Sequence, residues 1–285
     1  MVKKERYGMI TDSKWADYDQ DGDLDLIYCG DWTPISVLEN TGARNFKFRS
    51  ADLGLINTGG LWNSIYLHDF NEDGRLDILA GNAGANFKWK ASPEAPVKLF
   101  VGDFDENEQP EPIIFNNYFG KNTSFAGLDK LKLQLPGVRK QFQSYADFST
   151  IEKIEDLEIY KVDNEADRRE LRELRSMLFL SNGEKYESIP LPNQAQWSSI
   201  QDMIVTESNE IIFVGNHDGY LTEFGKSAAN SGGKFSGFDS ENSIFGKYTP
   251  LALPNGANTR KIVPLDNGGY FVVVNNEEGY FLGRD

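Results

Sequence analysis

Apolar and polar residues alternate along much of the chain in short runs, the period of strands rather than of helices. Leu24, Leu26 and Tyr28 alternate with Asp25 and Ile27, which predicts a strand over 24–29 ending at Gly30-Asp31. Residues 6–10 read as a short strand before it. The run Ile35 to Glu39 reaches the turn Asn40-Thr41-Gly42, and Phe46 and Phe48 mark the next strand. The pattern then returns. Trp62, Ile65 and Tyr66 precede the strand Ile78-Leu79-Ala80, which stops at Gly81-Asn82. Pro96 to Phe100 and Ile113 to Phe115 form another pair. Trp197 to Ile200 matches Trp62 to Ile65, Ile211 to Asn216 matches Asp77 to Asn82, and Leu178 to Tyr186 repeats the hairpin begun at Leu38. Lys261 to Asn275 is a last copy around the turn Asn267-Gly268-Gly269, and Tyr280-Phe281-Leu282 is the final strand.

Each repeat is about four strands, too small to bury its own faces. The pattern predicts an all-β fold: a β-propeller of about five four-stranded repeats, occupying residues 1–285 as a single domain or as the C-terminal part of a larger propeller. An elongated solenoid is the alternative; aromatics at each inner-strand entry favour the propeller. One stretch, 122–176, breaks the pattern and predicts a helical insertion capping one propeller face or rim. Leu128, Leu131 and Leu135 share a helical face that ends at Pro136-Gly137. Ser149 with Glu152 reads as a capping box. Residues 165–175 alternate acid and base around Leu171 and Leu174, which predicts a solvent-facing helix.

The connections between paired strands carry the chemistry. Asp17, Asp19, Asp21, Asp23 and Asp25 stand at alternate positions around Gly22. Carboxylates this close repel one another unless a cation resolves the conflict, and Ca²⁺ accepts about six to eight oxygen ligands. Asp17, Asp19, Asp21 and Asp25 offer side chains, Asp23 its carbonyl, and Gly22 permits the bend. The beginning resembles an EF-hand, but the twelfth position is Tyr28 and a strand follows where a helix would be needed. Asp69, Asn71, Asp73, Arg75 (by its carbonyl) and Asp77 form a second copy around Gly74. Asp103, Asp105, Asn107, Gln109 (by its carbonyl) and Glu111 form a third, weaker one, in which Glu108 replaces the glycine and Pro110 adds rigidity. The expectation is two Ca²⁺ sites, with a third in the last loop. Between Gln201 and Glu210 the acids are few, and Ile211 takes the place of Asp77.

Composition narrows the classes. A formal charge of −15 over 285 residues argues against nucleic acid or an anionic bilayer as partner. The 39% hydrophobic content, with 19 Phe and 12 Tyr, argues for a folded core, and 27 Gly suit many tight turns. The single cysteine, Cys29, excludes an internal disulfide and reads as a small buried hydrophobe. No apolar run is long enough for a transmembrane segment. Met1 to Tyr7 is basic but has no apolar stretch behind it, so the expectation is an intracellular protein or a portion of a longer exported one.

Catalysis finds little support. His68 and His217 with one cysteine do not make a zinc set; His68 reads as a strand residue and His217 as a turn residue beside Asp218-Gly219. Nucleophile-elbow, phosphate-loop and dinucleotide motifs are absent. The chain is expected not to be an enzyme. Two alternatives stay open: a carbohydrate-active enzyme using a carboxylate pair in the propeller groove, and a purely structural domain of a larger exported protein. Trp32 and Trp89, in loops after Gly30-Asp31 and Gly81-Asn82, are candidates for contact with a glycan or protein ligand; packing is their competing role.

The segments 17–25 and 69–82 resemble the FG-GAP or VCBS repeats of integrin-alpha-like propellers. Trp62 to Phe104, 133–148 and 191–198 resemble exported bacterial VCBS-repeat proteins with an ASPIC/UnbV-type region. That resemblance implies a calcium-loaded binding or adhesion propeller, secreted or on the cell surface (outer-membrane-associated or periplasmic included). It also implies a longer N-terminus with an export signal, which this sequence does not carry.

Overall fold

A computed structural model of the chain describes residues 8–43, 45–159, 166–266 and 268–283. Residues 6 and 7 of the first expected strand, Glu165 and the turn residue Asn267 lie outside them. The chain divides into two compact units, Met1–Lys88 with Leu174–Asp285, and Trp89–Glu173.

In unit 1 the first sheet is β1 (Met9–Ala16), β2 (Asp25–Asn40) and β3 (Phe46–Phe48), with β4 (Gly60–Leu61) added to β2. The two runs read separately at 24–29 and 35–39 are one long strand, β2. The second sheet begins with β5 (Ser64–His68) and β6 (Asp77–Gly81). The chain then leaves for unit 2, which holds β7 (Val97–Gly102), β8 (Glu111–Tyr118), β9 (Lys121–Ser124), helices α1 (Leu128–Gln134), α2 (Val138–Gln141) and α3 (Tyr145–Phe148), and β10 (Asp167–Leu171). It returns as β11 (Met177–Ser181) and β12 (Tyr186–Pro190), completing the order β12-β11-β6-β5. The third sheet is β13 (Ile200–Val205), β14 (Ile211–Gly215) and β15 (Gly232–Phe235), closed after the hairpin β16 (Phe238–Asp239) and β17 (Ile244–Phe245) by β18 (Tyr248–Pro250). The fourth is β19 (Thr259–Pro264), β20 (Tyr270–Val274) and β21 (Tyr280–Leu282).

The fold is all-β and propeller-like. In unit 1 the leading strands β1, β5, β13 and β19 neighbour one another in chain order. The fifth multi-stranded sheet, β10-β7-β8-β9, belongs to unit 2.

Sheets buried on both faces explain the unbroken apolar runs. On β6, Ile78 and Ala80 face the first sheet's core while Leu79 faces the third's. On β14, Ile211 and Phe213 join the second sheet's residues, and Ile212 and Val214 join the fourth's. Alternate side chains of one strand thus serve two cores. Between the first two sheets Ile27, Cys29, Ile35 and Val37 meet Trp62, Ile65 and Phe179.

Three sequence expectations need correction. The repeat with the third loop does not simply follow the second: 89–173 is inserted inside the second sheet, between β6 and β11. β6 is buried throughout and requires an apolar partner on its free edge, which Met177, Leu178 and Phe179 supply from far along the chain. The stretch 165–175 is not a helix. Asp167–Leu171 pairs with Val97–Val101, and its ion pairs, Arg169–Asp167 at 2.6 Å and Arg172–Glu170 at 2.5 Å, join residues two apart. Such pairs share a face on a strand and not on a helix. The helical insertion itself is present in 128–156. Leu128, Leu131 and Leu135 are buried against Phe100 and Phe115 of unit 2's own sheet. The cap is not Ser149 with Glu152; Ser144 accepts from the Asp147 N–H at 3.1 Å and starts α3, which Ser149 ends.

Three leading strands carry the same irregularity. The ladder slips between Ile10 and Asp12, between Ile200 and Asp202, and between Thr259 and Lys261, which leaves Thr11, Gln201 and Arg260 as bulged residues. Opposite the first two bulges stand Gly30 and Gly215. A Cβ there would lie 2.0 Å from the Met9 carbonyl oxygen and 2.3 Å from that of Ser199. Asp12 and Asp202 then reach the next sheet: each accepts a backbone N–H at 3.0 Å, from Ile65 and Ile262.

Gly215→Ala is expected to cost about 1–3 kcal/mol by overpacking, and Gly283→Ala, whose Cβ would meet nothing, close to none; thermal melts of the two variants compare them. Cys29 is fully buried, and burial pushes its thiol up to about 12, so a thiol reagent should label the chain only after denaturation. Labelling of the native chain at the rate of a free thiol would contradict the packing described.

Candidate metal loops

The first two acidic loops join the leading strand of a sheet to its second strand, β1 to β2 and β5 to β6; the third joins β7 to β8. All three fold on one hydrogen-bond scheme. The first acid accepts two backbone N–H groups from the bend: Asp17 from Asp21 (3.1 Å) and Gly22 (3.0 Å), Asp69 from Asp73 (3.1 Å) and Gly74 (2.7 Å), Asp103 from Asn107 (2.9 Å) and Glu108 (2.8 Å). The fifth residue accepts from the seventh, Asp21 from Asp23, Asp73 from Arg75 and Asn107 from Gln109. The fourth and sixth residues have positive φ. Gln20 with Gly22, Glu72 with Gly74, and Glu106 with Glu108 all lie there, so the third loop holds the bend despite lacking glycine.

The ninth residue ties each loop to the strands behind it. Asp25 is fully buried and accepts from Tyr18 N (3.2 Å) and Asn40 N (2.8 Å). Asp77, also fully buried, accepts from Phe70 N and Ser181 N, both at 2.8 Å; the latter sits on β11, across the insertion. Glu111 accepts from Phe104 N at 3.0 Å. Burial and neighbouring acids push the Asp77 carboxyl up to about 6, against those hydrogen bonds; burial likewise raises Asp25 and Asp19.

The remaining acids converge. Asp17, Asp19 and Asp21 bring carboxylate oxygens within 4.8 Å of one another, as do Asp103, Asp105 and Glu111. In the third loop Asp105 Oδ1 is buried and has no hydrogen-bond partner among the described residues. The longer Glu111 reaches its cluster, whereas Asp25 has both oxygens committed to backbone and is outside the first. In the second loop Asn71 donates to Asp73 Oδ2 at 3.2 Å and the Arg75 guanidinium to the same oxygen at 3.1 Å. Burial would raise Asp73, but the Arg75 backbone and side chain outweigh it and hold the carboxyl below its ordinary value. Gln20 Nε2 donates to the Gly74 carbonyl at 2.6 Å and bridges the first two loops. Hard oxygen donors, converging charge and a buried orphan oxygen fit a calcium ion.

The other candidate residues are placed as follows. Trp89 is 4% exposed and packs edge-on against Phe125 at 5.1 Å, within unit 2. Trp32 is half-buried at an irregularity in the pairing of β2 with β4, with φ of 54°. His68 bonds Asn209 at 2.9 Å and packs on Phe70. His217 is not a plain turn residue: it is half-buried, bridges to Ser227 and meets the Tyr220 ring at 4.3 Å. Nothing local in the sequence singles out Tyr220 or Arg260, which stand beside it. Among the described residues no helix is long and apolar enough to cross a membrane.

No curated protein matches the chain. Residues 17–80 match the FG-GAP-like repeat, a stretch running from the first acid of the first loop through the exit strand of the second. Repeats of this kind build propeller domains of binding or structural type, and the resemblance read from 17–25 and 69–82 is supported at the level of that repeat.

Proposed function

We propose that the chain is a calcium-braced, non-catalytic binding module of the cell surface or the extracellular space, recognising a glycan or a protein. The observation that carries the reading is the common hydrogen-bond scheme of the three loops, which in the first and third turns carboxylates toward one point and in the third leaves Asp105 Oδ1 buried with no partner among the described residues. Asp17, Asp19 and Asp21 would hold one ion, Asp69, Asn71 and Asp73 a second, and Asp103, Asp105 and Glu111 a third. The ion supplies positive charge where the loop has brought like charges together, so its binding energy becomes folding energy. The protein's part is complementary: Asp25 and Asp77 clamp the loop ends to the sheet by backbone N–H groups.

The partner assignment is supported by the type of repeat matched over 17–80. Trp15 and Trp197, 58% and 45% exposed, offer ring surface to a ligand where Trp89 does not. Probing a glycan array and a surface-protein array with the calcium-loaded chain tests it; absence of any calcium-dependent signal would leave the purely structural role.

Chelation is expected to lower the Tm. At a hundredfold excess over Kd one ion stabilises by about 2.7 kcal/mol, or about 5–10 °C for a chain of this size. A melt unchanged by chelator, with no heat on calcium titration, would overturn the metal reading. Two variants separate the roles of the acids. Asp21→Ala should lower the Tm in calcium, and do so more than Glu158→Ala on the exposed part of unit 2. Its cost should fade in chelator. Asp25→Ala should be costly in both conditions, because it leaves the Tyr18 and Asn40 N–H groups without their acceptor.

A further inference from the structure

A cavity of about 450 Å³ opens in unit 1 where the leading strands begin. It falls within the roughly 300–1,000 Å³ of small-molecule sites. The three bulged residues, Thr11, Gln201 and Arg260, all line it, so the irregularity shared by β1, β13 and β19 shapes its wall. It lies at the opposite end of these strands from the acidic loops: β1 runs from Thr11 at the cavity to Ala16, and the first loop starts at Asp17.

The charges around it are unevenly used. Asp12 accepts from Lys14 Nζ at 2.9 Å as well as from Ile65 N, and Asp202 from Lys261 Nζ at 3.1 Å as well as from Ile262 N. Both are satisfied. Asp31 is half-buried, burial pushes its carboxyl up, and no described residue hydrogen-bonds or ion-pairs with its carboxylate. Arg260 spends only Nη1, on Gln201 Oε1 at 2.5 Å and His217 Nδ1 at 2.9 Å; Nε and Nη2 have no partner among the described residues. A His217 Nδ1 that accepts from the guanidinium leaves the ring proton on Nε2, and burial, then the Arg260 charge, push the ring below its ordinary value. Ser64 is 3% exposed, lines the cavity, and its hydroxyl has no partner among the described residues. Tyr220 stands in the fields of both Asp31 and Arg260.

One open anion and one open guanidinium therefore face the same cavity without pairing with each other. Withdrawing either from water without a partner is costly. A simple anion would satisfy Arg260 and leave Asp31; an amine would do the reverse; a neutral polyol would neutralise neither. A guanidinium with a free edge matches a carboxylate fork to fork. We infer that this cavity binds a small zwitterion of the amino-acid class, its carboxylate on Arg260 and its ammonium on Asp31. The Ser64 hydroxyl and the His217 Nε2–H supply further contacts. The inference goes beyond the metal reading and does not depend on it.

The test is a thermal-shift screen of the full chain, in saturating calcium, against each of the twenty free amino acids at millimolar concentration. Calorimetry then compares the best of them with its decarboxylated amine and with its 2-hydroxy acid. The expected result is binding of at least one amino acid, weakened about tenfold or more by loss of either charged end. Asp31→Asn and Arg260→Gln should each weaken it by a similar factor. Failure of every amino acid to shift the melt or release heat would overturn the inference, as would equal binding of both analogues. Undiminished binding by the two folded variants would overturn the placement of the charges. Should a variant not fold, the analogue comparison on the unaltered chain still decides.

Discussion

A buried carboxylate that accepts two backbone N–H groups is the interaction on which the rest of unit 1 depends. Asp25 joins Tyr18 in the loop to Asn40 at the far end of the same long strand. Asp77 joins Phe70 to Ser181, and thereby fastens strands that the sequence separates by an inserted unit. Charge-assisted bonds of this kind are stronger than neutral ones, and breaking one inside the protein strands a donor. With the loop end fixed, the acids before it have little freedom to move apart, and their mutual repulsion becomes a property of the fold.

The third and fourth sheets show how the same connection is made without a cluster of acids. Between β13 and β14, Thr206 and Glu210 close a tight turn, with the Glu210 N–H on the Thr206 hydroxyl at 3.0 Å; the buried Ile211 stands where Asp77 stands in the second sheet. Between β19 and β20 backbone bonds close the turn, Leu265 N to the Gly269 carbonyl and Gly268 N to that of Leu265, both at 2.9 Å. A hydroxyl or a carbonyl suffices when no charge must be balanced. The acidic loops are therefore an addition to the scaffold, placed on particular connections, and not a condition for forming a sheet.

What could be read from the chain divides along the reach of each interaction. The loops, the hairpin at Ser181–Tyr186, the Leu128–Leu131–Leu135 face and the buried Cys29 are local patterns, and local chemistry determines them. The insertion inside the second sheet was not legible, because Val97–Phe100 and Met177–Phe179 are both apolar runs able to pair with β6. Only the surrounding core, with Trp62, Phe179 and Leu178 in place, decides between them. The stretch at 166–175 was misleading because alternating charges suit an exposed strand edge as well as a helix. The cavity was the least visible feature: its residues come one or two at a time from five strands and the loop at 217–220, and their meeting is a matter of topology and of bulges.

The first two acidic loops, alike in hydrogen bonding, differ in how they meet the repulsion they create. Position seven is Asp23 in the first and Arg75 in the second. Arg75 lays its guanidinium on Asp73 at 3.1 Å, and that carboxyl sits below its ordinary value, whereas Asp19 in the first loop is raised, by burial and then by the acids around it. An exposed ion pair of this sort is worth little in water by itself. Inside a loop whose backbone already holds carboxylates together, it replaces part of what an external cation would do. The first loop has no such internal charge and borrows only Gln20, whose amide reaches out to the Gly74 carbonyl and leaves its own acids uncompensated. On the proposed calcium reading, dependence on the ion would therefore be greater in the first of these two loops, which carries more acids and no base, than in the second. The second loop is fastened to the first through Gln20, so an ion bound in the first would also restrain the second.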